Sequence, residues 1–110
     1  MNVAEILDVM TRIYERPVAA TITALAMLET AGLQTHVVDA AIGLSAGELH
    51  ARHYDRKASP LSMADCIALA TAIVLQEGLA TSDGPLAAAA VIECVDVLSL
   101  RNSTGERPPT

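Results

Sequence analysis

Apolar residues recur at spacings of three and four over most of the chain, and the places where that rhythm fails mark its turns. Asn2–Glu15 carries Val3, Ile6, Leu7, Met10 and Ile13 on one helical face, with Glu5, Asp8, Arg12 and Glu15 largely on others. This predicts an amphipathic helix with Asn2 as its cap and Glu5 three positions on. Pro17 interrupts the pattern, and Val18–Ala31 resumes it with Ile22, Leu25, Ala26 and Leu28 until Gly32. Leu33–Val38 is rich in β-branched residues and reads as a short strand, after which Asp39 caps a helix over Ala40–Tyr54. Ile42, Leu44 and Leu49 face inward on that helix, while Gly43 and Gly47 each weaken it by about 1 kcal/mol and allow a break into two pieces. Arg52–Lys57 then forms a polar connection leading to Ser59 and Pro60.

The rest of the chain is organised around Leu61–Leu69, where Asp65 stands at the mouth of an otherwise apolar helix. Ser62 is placed to cap it, and Asp65 is the acid three positions on. From Cys66 to Leu75 almost no polar face remains, so this helix is expected to lie buried against a sheet. Gly78 is expected to close it, and Leu79–Asp83 reads as a short strand ending in a second acid. Gly84 and Pro85 supply a turn and a helix start, Leu86–Ile92 a short helix, and Cys94–Leu98 a last strand. Arg101–Thr110, with two prolines, a glycine and no large apolar residue, is expected to be a disordered tail after one domain over 1–100. Helices alternating with short strands predict an α/β fold with a short parallel sheet, its helix N-termini gathered at the carboxyl ends of the strands.

Composition narrows the chemistry. The 110 residues suit one compact domain, and with 52% hydrophobic but only 2% aromatic residues the core must be aliphatic. The usual aromatic platform for stacking single-stranded bases is missing. A formal charge of -6 argues against a sequence-independent hold on phosphate backbones unless basic residues cluster locally or cations intervene. Arg52, Arg56 and Lys57 are the one such cluster near the central motif and could meet RNA phosphates, but neighbouring Asp55 and the overall acidity dilute their field and favour an ordinary solvated connection. Cys66 and Cys94 have apolar neighbours and no metal-ligand spacing, which predicts buried thiols in a reducing compartment. His36, His50 and His53 have no Cys or Ser partner suited to nucleophilic catalysis and read as surface groups. No secretory signal is visible and no apolar run approaches the length of a membrane span, so a cytoplasmic protein is expected.

Glu5, Asp65 and Asp83 each fall at a predicted helix start. Singly, each is accounted for as a cap or dipole-compensating acid contributing a few tenths to about 1 kcal/mol. Together they would repel unless a hard divalent cation joined them. Leu61-Ser62-Met63-Ala64-Asp65-Cys66 followed by Leu79-Ala80-Thr81-Ser82-Asp83, with Asn2-Val3-Ala4-Glu5-Ile6-Leu7 upstream, resembles the PIN-domain family, specifically its VapC-like ribonuclease toxins. The resemblance runs from Met1 to about Leu100. It implies a three-layer α/β/α fold and a Mg²⁺ or Mn²⁺ site in which Glu5 is the helix-borne acid, Asp65 the acid opening the buried helix and Asp83 the acid after the next strand.

One departure is expected to matter. PIN domains open on a central strand bearing a further Asp, and this chain starts at the helix of Glu5, so it reads as N-terminally truncated. The resemblance therefore implies a metal-dependent endoribonuclease that is weak or inactive in this form. An RNA substrate, a cognate antitoxin and a homodimeric state are its implied partners, with no membrane. The alternative is a non-catalytic PIN-like module that binds an antitoxin or itself, since sheet edges left bare by the missing strands invite association.

Overall fold

The computed structural model describes residues 3–110, so the cap expected at Asn2 lies outside the described residues. The chain divides into two compact units, Met1–Val37 and Val38–Thr110, where the sequence predicts one domain. The first unit is a pair of contacting helices, α1 (Val3–Arg12) and α2 (Val18–Thr30). On α1, Asp8 and Arg12 pair one turn apart at 3.0 Å, and the guanidinium holds the Asp8 carboxyl below its ordinary range. Pro17 stands at the N-cap of α2, and Gly32 ends that helix with φ +117, a conformation that costs glycine least. Among the described residues of these helices Thr21 is the buried one, and its Oγ1 has no hydrogen-bond partner among the described residues.

Leu33–Val38, predicted as a strand, is irregular and exposed. Its β-branched residues satisfy local preference, but a strand exists only when its backbone is paired, and no neighbour pairs here.

The second unit holds α3 (Ala40–His53), α4 (Met63–Leu75), β1 (Leu79–Thr81), α5 (Gly84–Ile92) and β2 (Val97–Ser99). The Asp39 carboxylate accepts from the Ile42 N–H at 2.9 Å to start α3, which runs unbroken through Gly43 and Gly47. Tertiary packing offsets the propensity cost, because Ile42, Ala46 and Leu49 lie on one face and enter the core. Against them pack Leu61, Cys66, Leu69 and Ala70, so α4 rests chiefly on α3 and only secondarily on the sheet, contrary to expectation. Leu86, Ala89 and Ala90 of α5 complete the same cluster. Gln76, not Gly78, ends α4 in the left-handed region with φ 55.

β1 and β2 form a two-stranded parallel sheet in the register Leu79↔Val97, Ala80↔Leu98, Thr81↔Ser99, joined by the α5 crossover. Leu79 and Val97 pack on the helical core, while Ala80 and Leu98 point away and are exposed. Gly78 eases the entry of the chain into this sheet, since a Cβ there would lie 3.3 Å from the Asp96 carbonyl oxygen, a tight contact. The second unit is thus a helix-rich α/β arrangement with a short parallel sheet, and among the described residues no helix is long and apolar enough to cross a membrane.

At 101–110, where composition predicts disorder, the chain turns back. Asn102 Oδ1 accepts from the Thr104 and Glu106 N–H groups, the Ser99 hydroxyl donates to the Pro108 carbonyl at 3.0 Å, and Pro108 is buried.

Candidate functional site

The direction of the chain fixes where the predicted acids stand in the second unit. α4 turns through Gln76–Gly78 into β1, α5 runs back from the end of β1, and β2 is parallel to β1. The N-termini of α4 and α5 therefore lie toward the carboxyl end of the sheet, as sequence patterning predicts for such topology. Asp65 is at the first of these and Asp83 at the second.

Both acids also perform local work. The Ser62 hydroxyl accepts from the Asp65 N–H at 3.0 Å, and Asp65 Oδ2 accepts from the Ser62 N–H at 3.3 Å, the reciprocal arrangement predicted for this start. Asp83 Oδ2 accepts from the Leu86 N–H at 2.9 Å, and the Asp83 N–H donates to Thr81 Oγ1 at 3.0 Å. Each carboxylate thus commits Oδ2 to a backbone amide. Asp65 is half-buried and Asp83 is exposed.

Glu5 is exposed in the first turn of α1, in the first unit. Asp65 and Asp83 thus share an end of the second unit, and among the described residues no three His, Cys, Asp or Glu side chains form a group fit to hold a metal ion.

The basic residues divide differently from expectation. The Arg52 guanidinium donates to Glu93 Oε1, which also meets His53 Nε2 at 3.0 Å. This pairing joins the C-terminal end of α3 to that of α5, the end of α5 away from Asp83. The His53 bond, the burial that partly opposes it, and the Arg52 charge together leave the Glu93 carboxyl below its ordinary range. His53 is accordingly no surface group, with a side chain 8% exposed, and His50 stacks on Tyr54 with ring centroids 4.6 Å apart; His36 is exposed as predicted. Arg56 and Lys57 sit in a tight turn whose pivot is Asp55. Its carboxylate accepts from the Ala58 and Lys57 N–H groups and is held low by them.

Two further arginines were hidden by the expectation of disorder. Leu100 donates its N–H to the Thr81 carbonyl at 2.9 Å, which carries the β1–β2 pairing one step past the strands. Arg101 follows directly, with Nη1 donating to the Gly105 carbonyl at 2.9 Å, and Arg107 Nη1 donates to the Ser99 carbonyl at 2.6 Å. The signal for this turn was the run Asn102-Ser103-Thr104-Gly105, whose Asn and Gly are turn formers.

Of the thiols, Cys66 is buried as predicted, and burial followed by the neighbouring Asp65 charge pushes its pKa up. Cys94, predicted to be buried, is exposed because it follows the last turn of α5 in a left-handed conformation, φ 60. Two shallow clefts, of about 390 and 320 Å³, open beside Gly78–Ala80 and beside Glu77, Glu93 and Asp96, toward the amino end of the strands. No family model, no curated protein and no solved structure matches the chain.

Proposed function

We propose that the chain is a metal-assisted ribonuclease of the PIN type with reduced activity, Asp65 and Asp83 being the acids of the second unit that hold Mg²⁺ or Mn²⁺. The observation that carries this reading is their topological placement: two carboxylates at the N-termini of α4 and α5, the helices before and after β1, toward the carboxyl end of one parallel sheet. Each has Oδ2 bonded to a backbone amide, and no hydrogen bond among the described residues reaches either Oδ1. Such a donor pair fits Mg²⁺, which commonly takes one or two carboxylates and fills its remaining positions with water and substrate phosphate. Bound there, the metal would supply an activated water and neutralise charge on a phosphodiester. The chain's own part is to hold the two oxygens in place through the caps. Glu5 enters as a third acid on the strength of the sequence resemblance alone, as do an antitoxin and a homodimeric state; a cytoplasmic location enters from the sequence patterning. The three-layer arrangement of that family would require a further layer on the exposed Ala80 and Leu98 face.

A second reading, a non-catalytic interaction module, is favoured by that same exposed face and by the lack of a three-acid group among the described residues.

Asparagine caps a helix about as well as aspartate. Asp83→Asn should therefore keep the unfolding temperature of the metal-free chain while removing a ligand. Manganese at ten times its Kd should stabilise the unaltered chain by about 1.4 kcal/mol. The increment should shrink in Asp83→Asn and Asp65→Asn, with parallel loss of metal-dependent cleavage of a labelled single-stranded RNA. Equal metal responses and equal cleavage in all three proteins reject the ribonuclease reading; a metal-insensitive chain with no cleavage selects the interaction module.

A further inference from the structure

The C-terminal turn brings cationic groups to the same end of the sheet as Asp83. Thr81 lies opposite Ser99, and the Leu100 N–H bonds to the Thr81 carbonyl, so Arg101 follows β2 at the carboxyl end of the sheet, the end at which Asp83 follows β1. Arg107 reaches the same place from the far limb of the turn by donating to the Ser99 carbonyl. The turn is fixed at its base by the Ser99–Pro108 hydrogen bond and the burial of Pro108, and within by the three bonds to Asn102 Oδ1.

Neither arginine is neutralised. Among the described residues the ion pairs are Arg12 with Asp8, and Arg52 and His53 with Glu93; Arg101 and Arg107 bond only backbone carbonyls, through one Nη1 each. A guanidinium carries five donors, so each retains four for an anion together with its whole charge. In a chain of net charge -6, two cations with no ion pair among the described residues thus come together after β2, at the end of the sheet where Asp83 follows β1.

We infer that Arg101 and Arg107 hold backbone phosphates of a single-stranded RNA laid across the carboxyl end of the β1–β2 sheet. This inference rests on the ribonuclease reading for its choice of polyanion. It assigns the phosphate contacts to the C-terminal turn, in place of the Arg52, Arg56 and Lys57 stretch, the basic cluster that the sequence offers near the central motif. Arg52 is committed to Glu93, at the other end of α5 from Asp83. The division of labour is chemically consistent: carboxylates suit a hard cation, while planar guanidinium groups suit phosphate oxygens and tolerate any base.

The test is binding of a fluorescein-labelled single-stranded RNA to the full chain in EDTA, followed by anisotropy from 25 to about 200 mM salt. Each phosphate contact on a single strand contributes about 0.7 to the slope of log affinity against log salt. Arg101→Ala with Arg107→Ala should lower the slope by about 1.4 and weaken binding by about 25-fold at 0.1 M salt. Arg56→Ala with Lys57→Ala should leave the slope as it was. Arg101→Lys with Arg107→Lys should restore it, since the charge is kept. If the alanine pair lowers the unfolding temperature, Arg101→Gln with Arg107→Gln keeps an N–H donor to each carbonyl and must give the same loss of slope. A chain that does not bind RNA, or a slope unmoved by the turn variants but lowered by Arg56→Ala with Lys57→Ala, overturns the inference. Because no metal is present, these outcomes are separate from the manganese response of Asp83→Asn. A turn-dependent slope with no metal response would remove the nuclease and leave the RNA contact standing.

Discussion

Glu93 is the residue whose replacement most directly tests how the second unit is tied together. Its carboxylate accepts from two side chains of α3, one well shielded and one exposed, with His53 8% and Arg52 54% accessible. An exposed pair such as the one with Arg52 contributes about 0.2–1 kcal/mol. A hydrogen bond to a charged acceptor contributes about 1.5–3 kcal/mol, with the low end suited to a carboxylate that is itself 16% accessible. Glu93→Gln keeps the shape and one acceptor oxygen while removing the charge, so a loss of about 1.5 kcal/mol is expected. For a unit of this size that corresponds to a fall in Tm of about 6–12 °C at pH 7. The pH dependence follows from the direction of the Glu93 shift. Its carboxyl is held below the ordinary range in the folded protein, so its contribution is complete above the unfolded value of about 4.3. It is lost as pH falls through the lowered folded value. Thermal unfolding followed by circular dichroism at pH 7, 5, 4 and 3 should show the gap between the two proteins constant at the first two and closing at the last two. No gap at pH 7, or one that persists undiminished in strong acid, would refute the account of α3 and α5 being joined through this carboxylate.

The core and the helix ends give further checks. Leu69→Ala removes a side chain with no solvent exposure from the α3–α4 interface and should cost about 2–5 kcal/mol in urea unfolding, the upper part if the cavity stays open. Gln76→Gly replaces a residue at φ 55 with one that adopts this conformation freely and should stabilise by about 0.5–1 kcal/mol, read as a higher midpoint at unchanged slope. At pH 8 a thiol reagent should modify Cys94 promptly and Cys66 only after denaturation, since the latter is buried and its pKa is raised; two fast equivalents would contradict the packing of α4 on α3.

What was legible in the sequence was the chemistry of helix ends. Ser62 with Asp65, Asp39 before Ile42, and Asp83 before Gly84 and Pro85 are short-range arrangements, and each caps the helix it was expected to cap. Strand formation was less legible because it is a property of pairs: Leu33–Val38 has the composition of a strand and no partner, whereas Val97–Ser99 pairs with β1 even though it begins later than expected. Propensity misplaced the end of α4 as well. Gly78 is favoured by the proximity of the Asp96 carbonyl, a contact between segments that no local reading contains, and the left-handed turn falls on Gln76 instead. The turn over 101–110 likewise depends on a contact that composition does not contain, the Ser99 hydroxyl meeting the Pro108 carbonyl across it.

The candidate site shows why acids at helix starts are ambiguous. A carboxylate there stabilises the exposed amides of the first turn whether or not it does anything else, so the presence of Asp65 and Asp83 at these positions is explained fully by capping. A ligand role adds a separate requirement, that the second oxygen of each remain available on a common side. Capping through Oδ2 alone, as both residues do, leaves each Oδ1 without a hydrogen bond among the described residues, so the cap does not consume the oxygen that a ligand role would use. The two roles consequently respond differently to one substitution. Exchange of aspartate for asparagine preserves the capping oxygen and removes the charge, so stability reports the first role and the metal response reports the second.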